Sequence, residues 1–117
     1  MVEKSRPHED ETYTFVPIIP YDQLGVGERL FIEIDNQPIV LLKIEGDVFA
    51  IADKCSHDDG PLGDGEVNDH IIKCPRHGAT FDIRTGKALS LPAIVAIHAF
   101  PIKIIDGVIN IGINKRG

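Results

Sequence analysis

The chain has 117 residues and a net charge of −6, enough length for one packed domain. No apolar run reaches the ~18 residues of a membrane span, and the acidic balance argues against nucleic acid, which calls for a basic footprint. Acidity suits docking to a basic patch on a protein partner, or solubility alone. Ile is abundant and Trp absent, a composition that favours strands because branched side chains suit a pleated surface.

In chain order, residues 1–12 (MVEKSRPHEDET) are charged, lack an apolar h-region, and read as a flexible tail rather than a secretory signal. That places the chain in the cytoplasm. The packed domain is expected over 13–117. Tyr13 to Ile19 predicts a first strand, with Pro17 marking a sheet edge or a strand end. A turn follows through Tyr21–Gly27, where a single helical turn is the most the pattern allows. Arg29 to Ile34 alternates, with Leu30, Ile32 and Ile34 on one face and Phe31 on the other. Asp35–Pro38 is a turn cluster, Ile39 to Ile44 a nearly continuous apolar strand, and Val48 to Ala52 another after Glu45-Gly46-Asp47. Closely spaced turns make these segments a β-meander. Asp53 to Asn68, with three glycines and Pro61, reads as a long loop, and loops of that length in compact domains are usually functional. Strands are expected at Asp69–Lys73 and Ala79–Ile83, a proline loop at Leu89–Ala93, and a hairpin around Asp106-Gly107. The sum is all-β, a sandwich or barrel with two special loops at one end.

Those loops carry both cysteines. Cys55-Ser56-His57 and Cys74-Pro75-Arg76-His77 are separated by the sixteen residues Asp58 to Lys73. A histidine two residues after one cysteine and three after the other is not explained by a disulfide, and in a reducing compartment such thiols bind metal or act in redox chemistry. A [2Fe–2S] cluster with mixed ligation, two thiolates on one iron and two imidazoles on the other, needs this set. Zinc is the competing metal, but zinc modules usually group like ligands on each knuckle, whereas each box here is Cys then His.

With the adjoining residues, Cys55-Ser56-His57-Asp58-Asp59-Gly60-Pro61-Leu62 and Cys74-Pro75-Arg76-His77-Gly78-Ala79-Thr80-Phe81-Asp82, the chain resembles Rieske-type ferredoxins, the soluble carriers of bacterial aromatic-ring dioxygenase systems. Arg84-Thr85-Gly86-Lys87-Ala88-Leu89 and Leu91-Pro92-Ala93 fit the same family, in which a proline loop shields the cluster. The resemblance implies a Rieske β-sandwich with a small cluster-binding subdomain, here about residues 53–93. It implies one [2Fe–2S] cluster, Cys55 and Cys74 on the inner iron, and His57 and His77 on the outer iron through Nδ1. It also implies a carrier rather than an enzyme. One electron would come from a flavoprotein ferredoxin reductase and pass to a terminal oxygenase.

The departures matter. Respiratory relatives carry an extra cysteine in each loop, at the positions of Gly60 and Arg76, so their disulfide has no counterpart here. Their serine and tyrosine hydroxyl donors correspond to Ala79 and Phe81. Losing donors that stabilise the more negative reduced cluster lowers the potential, toward ~−150 mV at the bottom of the Rieske range. A catalytic oxygenase would need a mononuclear iron, and His8, His70 and His98 are scattered with no catalytic domain to hold one. The small Rieske subunit of a nitrite reductase and a ferredoxin linked to iron–sulfur assembly share the same motifs. Asp58, Asp59, Asp64 and Glu66 form either an acidic docking rim or an ordinary solvated loop.

Overall fold

The computed structural model describes residues 13–56, 60–93 and 95–114. Their strands form three antiparallel sheets. The largest sheet has the order β2-β3-β4-β8, from β2 (Arg29–Ile34), β3 (Gln37–Ile44), β4 (Asp47–Ala52) and β8 (Ala99–Phe100). A second has the order β1-β10-β9, from β1 (Tyr13–Pro20), β9 (Ile102–Ile105) and β10 (Val108–Asn114). The third is small, with order β5-β6-β7, from β5 (Glu66–Asn68), β6 (Ile71–Lys73) and β7 (Thr80–Asp82).

The all-β expectation holds, and two details differ from the sequence reading. The meander contains only β2, β3 and β4, because β1 crosses to pair with β10. β1 therefore lies at an edge, where Pro17, which has no N–H to donate, sits beside a register shift. The long loop after Ala52 contains strand β5, three residues too short to show a period. β8 and β9, separated by Pro101, lie in different sheets. Turn chemistry sets the hairpins. Asp35 and Asn36 (φ 52° and 65°) join β2 to β3, and Asp106 and Gly107 (φ 50° and 78°) join β9 to β10, the left-handed pairs that match strand twist.

β3 explains its own composition. Flanked by β2 and β4, it buries both faces: Ile39 and Leu41 enter one core, Val40 and Leu42 another. Both faces must therefore be apolar, and alternation disappears. The first core joins Ile39, Leu41, Ala50 and Phe100 to Ile109, Ile111 and Ile113 of β10, with Leu30, Ile32 and Ile34 packed against it. The second joins Val40, Leu42 and Ile51 to Leu62, Ile72, Phe81, Ile83 and both cysteines. Burying each such side chain contributes roughly 1.5–3 kcal/mol. Lys43, at the end of this strand, is also buried. Its Nζ donates to Tyr21 O (2.9 Å) and Leu24 O (2.7 Å) and lies 3.6 Å from the centroid of the Tyr21 ring. It thereby fixes the 3₁₀ turn Tyr21–Gln23 against the sheet.

Candidate metal centre

The two boxes leave the ends of β4 and β6 as short closed turns. After β4, the Cys55 N–H donates to Gly60 O (2.8 Å), bending the chain back within five residues. After β6, the Cys74 N–H donates to Ala79 O (2.7 Å) and the Gly78 N–H to Cys74 O (3.0 Å). Gly78 takes a φ of 80°, a conformation a glycine adopts without strain. Each turn places its cysteine at the inner end. Cys55 is 0% exposed and Cys74 1%, neither forms a disulfide, and His77 is exposed. His57, Asp58 and Asp59 lie outside the described residues.

The inner end is thus a pair of neighbouring buried thiols in an apolar wall that includes Leu62, Ala79, Phe81 and Ala93. Burial pushes the Cys74 thiol up. The backbone N–H groups of Arg76 and His77, the Cys55 side chain and the Arg76 charge together outweigh that and hold it below the ordinary thiol value. A thiol among such donors has the chemistry that a metal ligand needs. The donor set fits the mixed two-iron group: sulfur ligands inside, one imidazole at the surface, and N–H donors directed at sulfur. Among the described residues, no three donor side chains converge to hold a single ion.

Several supports were not visible in the motif. The Asp53 carboxylate accepts from the N–H groups of Leu62 (2.9 Å) and Gly63 (2.6 Å), fixing the far side of the first loop. Arg29 Nη1 donates to the carbonyls of Gly63 and Gly65 from the edge strand β2. Ser56, inside the first box, donates its hydroxyl to Val95 O. Thr80, just after the second box, receives the proline loop: Leu89 N–H donates to Thr80 O (2.8 Å), and Ser90 Oγ lies 3.1 Å from Thr80 N and 2.7 Å from Thr80 Oγ1. Asp53 could have been found from its place at a strand end before a glycine-rich loop. Arg29 carries no such signal, because its partners lie more than thirty residues away.

The resemblance assigned shielding to the proline loop around Pro92. Leu62 is fully buried and Pro92 half-buried, while Pro61 is exposed and serves through its carbonyl, which accepts from Arg76 Nη1 (2.6 Å). His70 meets the Phe49 ring edge-on at 5.5 Å. His98 lies against Phe100 at 4.3 Å, and the desolvation of that ring face pushes its imidazole down. Neither belongs to the boxes, and His8 lies outside the described residues. Asp64 and Glu66 are exposed on a crevice of about 310 Å³ that also touches Lys73, Cys74 and Pro75. A larger open groove of about 650 Å³, lined by Tyr21, Phe49, His70, Arg84 and Ile104 among others, contains no residue of either box.

Residues 14–101 match the Rieske [2Fe–2S] domain. The ferredoxin component of biphenyl 2,3-dioxygenase from Rhodococcus jostii (strain RHA1) is 41% identical over 81 residues, covering 69% of this chain and 76% of that one. A 3-phenylpropionate/cinnamic acid dioxygenase ferredoxin subunit from Photorhabdus laumondii is 38% identical over 79 residues, 67% of this chain and 75% of that one. Among solved structures, the ferredoxin of carbazole 1,9a-dioxygenase from Nocardioides aromaticivorans IC177 superposes with a TM-score of 0.77 at 28% identity, covering 84% of this chain and 96% of that one. The matched span takes in both turns, the apolar wall between them and the proline loop, and on that footing the chain belongs to the Rieske [2Fe–2S] family, whose bound group is a single cluster.

Proposed function

We propose that this protein is a one-electron carrier, taking electrons from a flavoprotein ferredoxin reductase and delivering them to a terminal oxygenase in the cytoplasm. Cys55 and Cys74 hold the inner iron and His57 and His77 the outer one. Residues 53–93 act as the cluster-binding subdomain, and 1–12 as a tail outside the domain. The observation that carries the reading is the split in exposure: both thiols closed off from water at 0% and 1%, with His77 open to it. The bound group supplies a one-electron couple, and the chain decides where that couple is accessible. Leu62, Ala79, Phe81 and Ala93 exclude water from the sulfur side. His77 faces outward, where a partner can approach closely. Leu89, Leu91 and Val95 expose apolar surface on segments bonded to the two boxes, suited to a transient protein contact. The relatives reported above are ferredoxin components of dioxygenase systems, which supports the assignment of partners.

Ala79 and Phe81, both fully buried, bring no hydroxyl to the sulfur side. Besides the neighbouring Cys55 side chain, the donors directed at Cys74 are backbone groups of Arg76 and His77. Fewer donors to sulfur leave the reduced state less stabilised, so the carrier is of low potential.

The reading is tested by electron paramagnetic resonance of the purified protein after dithionite reduction. A rhombic signal with a low average g is expected, and absence of a signal rejects the site. Stoichiometric reduction by NADH plus a flavoprotein reductase, followed by reoxidation on adding an oxygenase, tests the direction of flow. Film voltammetry tests the potential, and a clearly positive value would overturn the low-potential assignment.

A further inference from the structure

Arg76 sits between the two ligands of the second box, yet its side chain is committed to the first. A Cβ placed on Gly60 would lie 2.7 Å from Arg76 Cζ, 2.8 Å from Nη2 and 2.9 Å from Nε. Three near-equal distances mean that the flat face of the guanidinium covers the Gly60 Cα. From that position Nη1 donates to Pro61 O at 2.6 Å. Gly60 is itself the acceptor that closes the first turn, receiving the Cys55 N–H at 2.8 Å. At the other end of the residue, the Arg76 backbone N–H is directed at the Cys74 thiol. One arginine therefore touches the closure of both turns. A side chain at residue 60 would meet the guanidinium and have to displace it.

We propose that Arg76 is a positioning residue that locks the two cluster loops to each other, and that Gly60 is its receptor, glycine because the guanidinium occupies the space of a side chain. The inference rests on the site assignment above. A planar, permanently charged fork suits this task, since it can stack on a peptide and donate to a carbonyl at once. Lysine keeps the charge and loses the plane. The lock holds the spacing between the thiols and the imidazoles without a covalent link, and it keeps a positive charge beside the group that gains the electron.

The test compares Arg76→Ala, Arg76→Lys and Gly60→Ala with the wild type. Loss of visible absorbance under a chelator should run about ten- to a hundredfold faster in Arg76→Ala, the range for removing a hydrogen bond to a charged group. Gly60→Ala should move the same way with the arginine still present, because the new methyl displaces it. Arg76→Lys should also lose absorbance faster but keep a reduction potential near the wild-type value, whereas in Arg76→Ala the potential should fall. Amide exchange at Cys55, measured on the purified chain as isolated, should speed up in Arg76→Ala and Gly60→Ala. Wild-type rates of absorbance loss and of Cys55 exchange in both variants would overturn the lock. Faster Cys55 exchange in a chain whose wild type gives no resonance signal would support the lock and reject only the cluster assignment.

Discussion

The two cores of this molecule are built by different means. The first is closed by long strands: β1 and β10 pair along almost their whole lengths, and their isoleucines join Ile39 and Leu41 of β3. Its polar groups are mostly spent in strand ladders. The second core shares β3 and β4 but is closed by three strands of three residues each and by loops. So few ladder bonds cannot fix the loops, and side chains take over: Asp53, Arg29, Arg76, Ser56 and Ser90 each bind a backbone group of a distant segment. The difference separates stability from positioning. Regular pairing supplies a rigid base through many equivalent bonds, whereas a ligand site needs a few specific bonds that set particular atoms in place.

The widest gap between the two regions should appear on replacing Cys74 with Ser. The cluster should be lost, and amides of Ile72 and Phe81 should exchange faster while that of Ile111 stays protected. Collapse of both regions together would show that they fold as one unit. Truncating the base comes next. Ile111→Ala, at a fully buried site, should cost about 2–5 kcal/mol and lower the unfolding midpoint of the whole domain. The resonance signal of the folded fraction should be unchanged, and a changed line shape would break the division. Asp53→Ala should do the opposite. It strips the acceptor from two backbone N–H groups, an effect of roughly 2 kcal/mol. That effect should appear as faster cluster loss and a broadened signal, with little change at Ile111 by amide exchange.

The smallest expected effect is the pH dependence of Asp82, on β7 of the second region. Its carboxyl is held below the usual range chiefly by the hydrogen bond from Arg84, at 3.2 Å. A carboxyl with a depressed folded value binds its proton less readily when folded. The stability it adds is therefore present above the ordinary aspartate value and disappears as pH falls through the depressed one. Chemical denaturation between pH 6 and about 2 should lose a small increment in the wild type that Asp82→Asn lacks. Identical acid limbs would remove this ion pair from the account of the second region. Arg84 is exposed, so the increment is small.

Much of this was legible in the chain. Alternation in Arg29–Ile34, the apolar run of β3 and the Asp106-Gly107 turn are local signals with local causes, and all appear as read. The two boxes pointed to a mixed sulfur and imidazole donor set by residue type and spacing, both of which are read directly from the chain. Sequence could not show that β1 leaves the meander for β10, since strand partners are chosen by burying two apolar faces at once and that choice is global. β5 escaped notice because three residues carry no period. The residues that hold the loops were invisible for the same reason: Arg29 and Gly63, or Arg76 and Gly60, become neighbours only when the strands between them have packed. The sequence by itself determined that the scaffold is β and which side chains we propose as ligands of the metal group. The tertiary structure alone decided how those side chains are buried and braced, because burial and long-range hydrogen bonds belong to the packed chain and not to any segment of it.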